Sequence, residues 1–367
     1  VPAPARPLDW QLVLAVAERE GLAPALGLAV KGPHRTETPD LVRARLNRHV
    51  AEATARYLIL RRELGRLLLS FADDGIPVIP LKGLALAETL YPDPILRPSS
   101  DLDLLVHPET VLDVDALLQG LGYRRLADAH SWSFDLAYDG ATVYTGPKGV
   151  RVDLHWSLLS DPRFAWNATE ETTIWERAVR QEVAGEEALS LCPEDLLIYL
   201  SAHLAVHHGL SGALWYWDLA QLLGQWSDKL DWDAVPERAG RWRVQTAVYF
   251  ALLGCQRLFD VAAPGVVMSR LRPWGPRAGA LRWLLRTHDA DRLKRLEHLT
   301  ALLLVDRARD LVASLAAAVF PSRAWLRARY EGAGSSLLTH YGAHCRRMAG
   351  IARVAVFGTP ETKIPRP

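Results

Sequence analysis

Eight apolar residues, Leu46, Val50, Ala53, Tyr57, Leu60, Leu64, Leu67 and Phe71, follow one another at spacings of 4, 3, 4, 3, 4, 3 and 4. That rhythm lays a single apolar stripe along one long α-helix. Thr38, Pro39 and Asp40 supply start signals, and Asp73, Asp74 and Gly75 supply a stop. A coiled coil produces the same stripe, but the apolar run 76–80 follows with no linker, which predicts packing within the chain. A long helix feeding directly into a short buried strand predicts an α+β fold. Upstream, the apolar pattern of residues 8–30, punctuated by Gly21 and Gly27, predicts one or two short capping helices.

The next stretch carries the chemistry. Lys82 and Gly83 stand between the strand at 76–80 and a short helix expected at 84–91, where glycine lets the chain turn tightly. Pro92 and Pro94 end that helix, and Arg97, Ser99 and Ser100 lead into a strand at 101–106. In that strand Asp101 and Asp103 are two apart and share a face, while Leu102, Leu104 and Val106 take the other. Two adjacent carboxylates repel each other and are costly to desolvate, so the pair points to a bound cation. Mg²⁺, which prefers oxygen ligands, is the natural choice.

Further on, Pro108 and Glu109 open a helix reaching Gly120, and the period then changes. Strands are expected at 123–126, 132–138, 141–145 and 150–156. In the last of these Arg151, Asp153 and His155 share a face opposite Val150, Val152, Leu154 and Trp156. Asp153 is therefore a candidate third carboxylate, with a plain ion pair to Arg151 as the simpler alternative. Residues 161–191 read as a polar linking segment with a short helix or strand. A helix then runs from Pro193 to Gly209 with Leu196, Leu200, His203 and His207 on one stripe, followed by a helix at 214–223 that carries Asp218 on an apolar face. A buried ionised Asp needs a partner, and His203 or His207 is the expected one. A His pair at i, i+4 can also share zinc, but the Glu of the zinc-protease pattern is missing. Helices are expected at 244–259, 266–271, 276–285, 293–303, 311–319 and 337–354, then a loose Pro-rich tail at 358–367.

The Leu81, Lys82, Gly83 turn, the Arg shortly before the acidic strand, and the Asp-hydrophobic-Asp strand itself resemble the nucleotidyltransferase superfamily that includes DNA polymerase β and the kanamycin nucleotidyltransferases. The similarity is greatest to a bacterial branch, some of whose members are associated with peptide natural-product (lasso peptide) biosynthesis. One departure is that Gly83 is followed by Leu84 and lies 18 positions before Asp101, whereas the superfamily keeps its Gly and carboxylates closer. The resemblance implies a small mixed-sheet, palm-like nucleotidyltransferase domain at 76–160, a helical region at 1–75 and a helical domain at 161–367. It further implies Asp101, Asp103 and Asp153 as catalytic metal ligands for Mg²⁺, two ions by analogy, with Mn²⁺ as a substitute. Lys82, Gly83, Arg97, Ser99 and Ser100 would hold an NTP co-substrate. The stripes of their own elements, and not the resemblance, lead to the expectation that His155, His203, His207 and Asp218 cluster at the cleft.

The activity so implied is transfer of a nucleoside monophosphate to a hydroxyl or phosphate acceptor on a small molecule, peptide or protein. Two rivals from other classes are a non-catalytic binding protein that keeps the fold, and a zinc hydrolase using His203, His207 and Asp218. Lys and Arg number 43 against 42 Asp and Glu, a net charge of +1, which argues against nucleic acid or an anionic membrane as partner. The three cysteines are widely spaced, fitting a reducing cytoplasm better than a disulfide framework.

Overall fold

The computed structural model describes residues 8–31, 38–126, 131–159, 168–285, 297–330 and 336–357. The expected tail at 358–367, the beginning of the linking segment and the start of the 293–303 helix lie outside them. Helices α1 (Trp10–Arg19) and α2 (Ala23–Ala29) pack on the first turns of α3 (Asp40–Asp73) through Leu14, Ala17, Ala23, Val30, Val42 and Leu46. The stripe on α3 behaves as its spacing predicts: Leu46, Leu60, Leu64, Leu67 and Phe71 are almost completely buried. Burial of side chains of this size stabilises the fold by roughly 1.5–3 kcal/mol each.

Strand β1 (Val78–Pro80) follows, then α4 (Leu84–Leu90), β2 (Asp101–Val106), α5 (Val111–Gly120) and β3 (Arg124–Arg125). Helix α6 (Trp132–Tyr138), β4 (Ala141–Thr145) and β5 (Arg151–His155) complete this part. The five strands form one mixed sheet in the order β1, β2, β5, β4, β3. The β2 and β5 pair is parallel, and the other pairs are antiparallel. On one face Leu102, Leu104, Val106, Val152, Leu154 and Trp156 pack against α3 and α5. The opposite face carries Asp101, Asp103 and Asp153 and continues at Leu105 into the core of the helical half.

Residues 132–138 are helix, not the expected strand. Their alternating apolar residues fit either period, and tertiary contacts decide. Phe134 and Tyr138, one turn apart, pack with ring centroids 4.8 Å apart. Asp135 is ion-paired to Arg125, and the Trp132 indole donates to Asp115 at 3.0 Å. Leu136 stays 37% exposed, which a buried strand face would not permit.

The linking segment holds α7 (Ala168–Arg177) and a hairpin of β6 (Val179–Val183) and β7 (Glu186–Ser190). Ala184 and Gly185 both take positive φ between those strands, the geometry of a tight two-residue hairpin turn. Helix α8 (Pro193–His208) is buried along nearly its whole length and ends, as expected, at Gly209 in the left-handed conformation. Its first-turn acids do more than complement the helix dipole: Asp195 is fully buried between Arg177 at 2.8 Å and Arg238 at 3.0 Å. Helix α9 (Ala213–Trp226) lies beside it, followed by α10 (Ala234–Arg241), which the sequence pattern did not announce. Among the described residues the further helices are α11 (Gln245–Phe259), α12 (Gly265–Leu271), α13 (Pro276–Leu284), α14 (Glu297–Leu304), α15 (Ala308–Val319), α16 (Arg323–Arg329) and α17 (Leu337–Phe357).

Candidate active site

The acidic face is built by register. Because β2 and β5 run parallel with Asp101 opposite Arg151 and Asp103 opposite Asp153, the three carboxylates fall on one side of two adjacent strands. Burial, and then the charge of Asp103, raise the pKa of Asp101 above the ordinary carboxylate value. Asp153 is raised in the same way, by burial and then by Asp103 and Asp101. Its Oδ1 is buried without a hydrogen bond, although the Arg151 guanidinium lies 3.7 Å away.

Asp103 behaves differently. Burial works to raise its pKa, but the Lys82 ammonium at 2.9 Å and His155 Nε2 at 3.0 Å from the same oxygen hold it well below the carboxylate range. Lys82 is raised in turn: burial works to lower it, and the facing Tyr199 and Asp103 prevail. His203 Nε2 lies 3.0 Å from the same ammonium.

Gly83 shapes the turn that delivers Lys82. It has φ 55° and ψ −116°, a region open in practice only to glycine. A Cβ there would come within 2.5 Å of Ser99 Oγ and 3.6 Å of the Asp101 carbonyl oxygen. The 18-residue gap between Gly83 and Asp101 in sequence is thus closed in space. Ser99 Oγ donates to that carbonyl at 3.0 Å, and the neighbouring Ser100 side chain works to lower the Asp101 pKa.

Two expectations need correction. Asp218 does not partner a histidine: its Oδ1 accepts from Tyr91 at 2.7 Å and Arg97 Nε at 3.1 Å, and its Oδ2 accepts from Arg97 Nη2 at 2.9 Å. Arg97 is correspondingly buried against Asp218, not presented to a phosphate, with side-chain exposures of 3% and 2% for the pair. The reason is its place beneath α9, where a guanidinium removed from water needs a carboxylate. Burial first, then Lys82 and the neighbouring histidines, push His203 well below its ordinary pKa. His208 falls to about 4, through burial, His207, Lys82 and Arg97. His203, His207 and Asp218 do not assemble as a zinc site, because the Asp218 carboxylate is turned to Arg97 and Tyr91. Among the described residues no group of three or more His, Cys, Asp or Glu side chains, Asp101, Asp103 and Asp153 included, stands in a metal-holding arrangement.

Tyr91 and Tyr199 escaped the sequence reading, and Trp215, part of the Trp-x-x-Asp run shared with the resembling family, was given no role there. Trp215 stacks on His208 at 4.2 Å and lies under the Arg97 guanidinium at 5.2 Å. The one available signal was position: Tyr199 is one turn before His203.

This geometry can be set beside known proteins. The family described as uncharacterised nucleotidyltransferase matches residues 6–260. The chain belongs to that family. The match takes in the acidic strands, the Lys82 turn and helices α8 to α11, so the nucleotidyltransferase family covers both sides of the site. No curated protein matches the chain. Among the described residues no helix is long and apolar enough to cross a membrane.

Proposed function

We propose that this nucleotidyltransferase moves a nucleoside monophosphate from an NTP to a hydroxyl or phosphate acceptor, with Asp101, Asp103 and Asp153 as its catalytic carboxylates. The observation that carries the reading is the pairing of Asp103 with Asp153 across parallel strands, with Asp101 on the same face and Lys82 at its edge. The chemistry of the donors, though not their present arrangement, suits a hard divalent cation. They are carboxylate oxygens, one of them buried and without a hydrogen bond, in a cluster whose mutual repulsion already favours added positive charge. Asp101, Asp103 and Asp153 would hold Mg²⁺, or Mn²⁺ in its place. When bound, the metal supplies charge neutralisation on the phosphates.

The protein's own residues account for the rest. An acceptor oxygen attacks the α-phosphorus, the bond from that phosphorus to the bridging oxygen breaks, and pyrophosphate leaves with the electron pair. Lys82 meets the charge on the departing phosphates, and Gly83 lets the backbone come close. The acceptor's proton passes to Asp153, with His155 as the alternative base on the same strand face. His208 and Trp215, stacked at 4.2 Å on the helical side, would face a small molecule, peptide or protein acceptor. A biosynthetic peptide is the acceptor that the family resemblance offers.

The test combines binding and turnover. Each common NTP with Mg²⁺ is measured for thermal stabilisation, expected at about 1–3 kcal/mol well above the dissociation constant, and for pyrophosphate release with candidate acceptors. Asp153→Asn should remove both effects. A wild-type protein that neither binds nor consumes any NTP in the presence of Mg²⁺ or Mn²⁺ would overturn the reading.

A further inference from the structure

Lys82 is reached from the helical half by two side chains of one helix. Tyr199 and His203 are four residues apart on α8, with ring centroids 5.9 Å apart, and both are buried. The Tyr199 hydroxyl faces the ammonium, and His203 Nε2 lies 3.0 Å from Lys82 Nζ. An ammonium has hydrogens to give and no lone pair to accept with. The 3.0 Å contact is therefore Lys82 donating to an unprotonated Nε2, which leaves the proton of the neutral ring on Nδ1.

We propose that His203 is a positioning residue for the nucleotide, its neutral Nε2 fixing the Lys82 ammonium in the orientation that the leaving phosphates meet. The proposal rests on the nucleotidyltransferase reading of the site. A free lysine side chain samples many rotamers, and an ammonium already held at Asp103 and His203 has lost that freedom before a ligand arrives. The chemistry of the second anchor matters as much as its distance. A carboxylate at position 203 would cancel the charge that phosphate must find, and a protonated imidazole would repel it. A neutral imidazole orients the ammonium and leaves its charge in place.

The surroundings favour that state. Besides Lys82, His155, His207 and His208 all face His203 with like charge whenever they are protonated, and burial adds to the penalty. His207 and His208 have ring centroids 5.0 and 4.8 Å away. Asp103 lies on the far side of Lys82, where its charge is already engaged by Lys82 and His155. Helix α8 is anchored at its other end by the buried Asp195 between Arg177 and Arg238, so the acceptor atom is mounted on a rigid element.

A double-mutant cycle separates positioning from structural support. Affinities for ATP, GTP, CTP and UTP with Mg²⁺ are measured by calorimetry for the wild type, and the tightest is carried through His203→Leu, Lys82→Ala and the double variant. His203→Leu should weaken triphosphate binding about tenfold and monophosphate binding less. In the Lys82→Ala background it should do nothing further. His203→Gln, whose amide oxygen accepts near the same place, should recover affinity to within about threefold of wild type. An equal loss in both backgrounds, or Gln behaving like Leu while triphosphate binding persists, overturns the proposal and leaves the nucleotidyltransferase reading standing. Absence of binding to any of these nucleotides overturns both. NMR of ¹⁵N-labelled histidine in the nucleotide-free protein supplies a separate readout. His203 should be the neutral Nδ1–H form at about pH 7, with an Nε2 resonance that moves in Lys82→Ala, and a protonated Nε2 would refute the proposal alone.

Discussion

The Arg97 and Asp218 pair makes the sharpest prediction. Replacing Asp218 with Asn keeps the shape but leaves a guanidinium with 3% side-chain exposure facing a neutral amide. The variant loses the charge that answers two Arg97 N–H groups and the Tyr91 hydroxyl. Breaking a buried ion pair by removing one partner typically costs about 3–5 kcal/mol, because the other charge stays buried. At roughly 2–4 °C per kcal/mol for chains of 150–250 residues, and less in a longer one, the thermal midpoint should fall on the order of 5–10 °C. Differential scanning calorimetry on Asp218→Asn, and on the double variant Arg97→Met with Asp218→Leu, is the assay. The double variant should regain at least half of the loss, since a well-packed apolar pair removes the stranded charge. A midpoint within about 1 °C of wild type for Asp218→Asn, together with a loss of NTP affinity as large as that of Lys82→Ala, would refute the argument. Arg97 would then be a phosphate ligand and Asp218 merely its holder.

Other outcomes follow from the same site. Asp101→Asn should leave the metal-free thermal midpoint unchanged or higher, because it removes like-charge repulsion. Asp103→Asn should lower it by about 2–4 kcal/mol in stability, because Lys82 and His155 lose their anion; equal behaviour of the two variants in denaturant melts would contradict the assigned roles. Gly83→Ala should cost about 1–3 kcal/mol through its backbone conformation, and adding Ser99→Ala should relieve the side-chain clash without restoring wild-type stability. Because His208 titrates at about 4 in the fold and near 6.5 when unfolded, the unfolded chain takes up its proton first on acidification. Its contribution is therefore full above about pH 6.5, is lost as pH falls toward 4, and changes by about 1.4 kcal/mol per pH unit. Urea titrations should show that slope flatten in His208→Gln, and an unchanged slope would count against the assignment.

Local pattern determined much of this protein because its signals repeat. The stripe from Leu46 to Phe71 specified α3, the period of two put Asp101 with Asp103 and Asp153 with His155, and Gly209 marked the end of α8. Where local signals were ambiguous, partners distant in sequence decided the outcome. Residues 132–138 became helix because Arg125 and Asp115 engage Asp135 and Trp132, and α10 went unread because Pro236 and Gly240 give its short run the look of a turn. The same division runs through the site. Spacing within a strand sets which carboxylates share a face, but no periodicity states which strand lies beside which. Only the parallel pairing of β2 with β5 sets Asp103 against Asp153. Tertiary structure likewise chose the ion pairs: Arg97 met Asp218 across 121 positions, and Lys82 met His203 across 121. A charge removed from water takes the complementary group that the fold brings within reach, and sequence distance gives no measure of that reach.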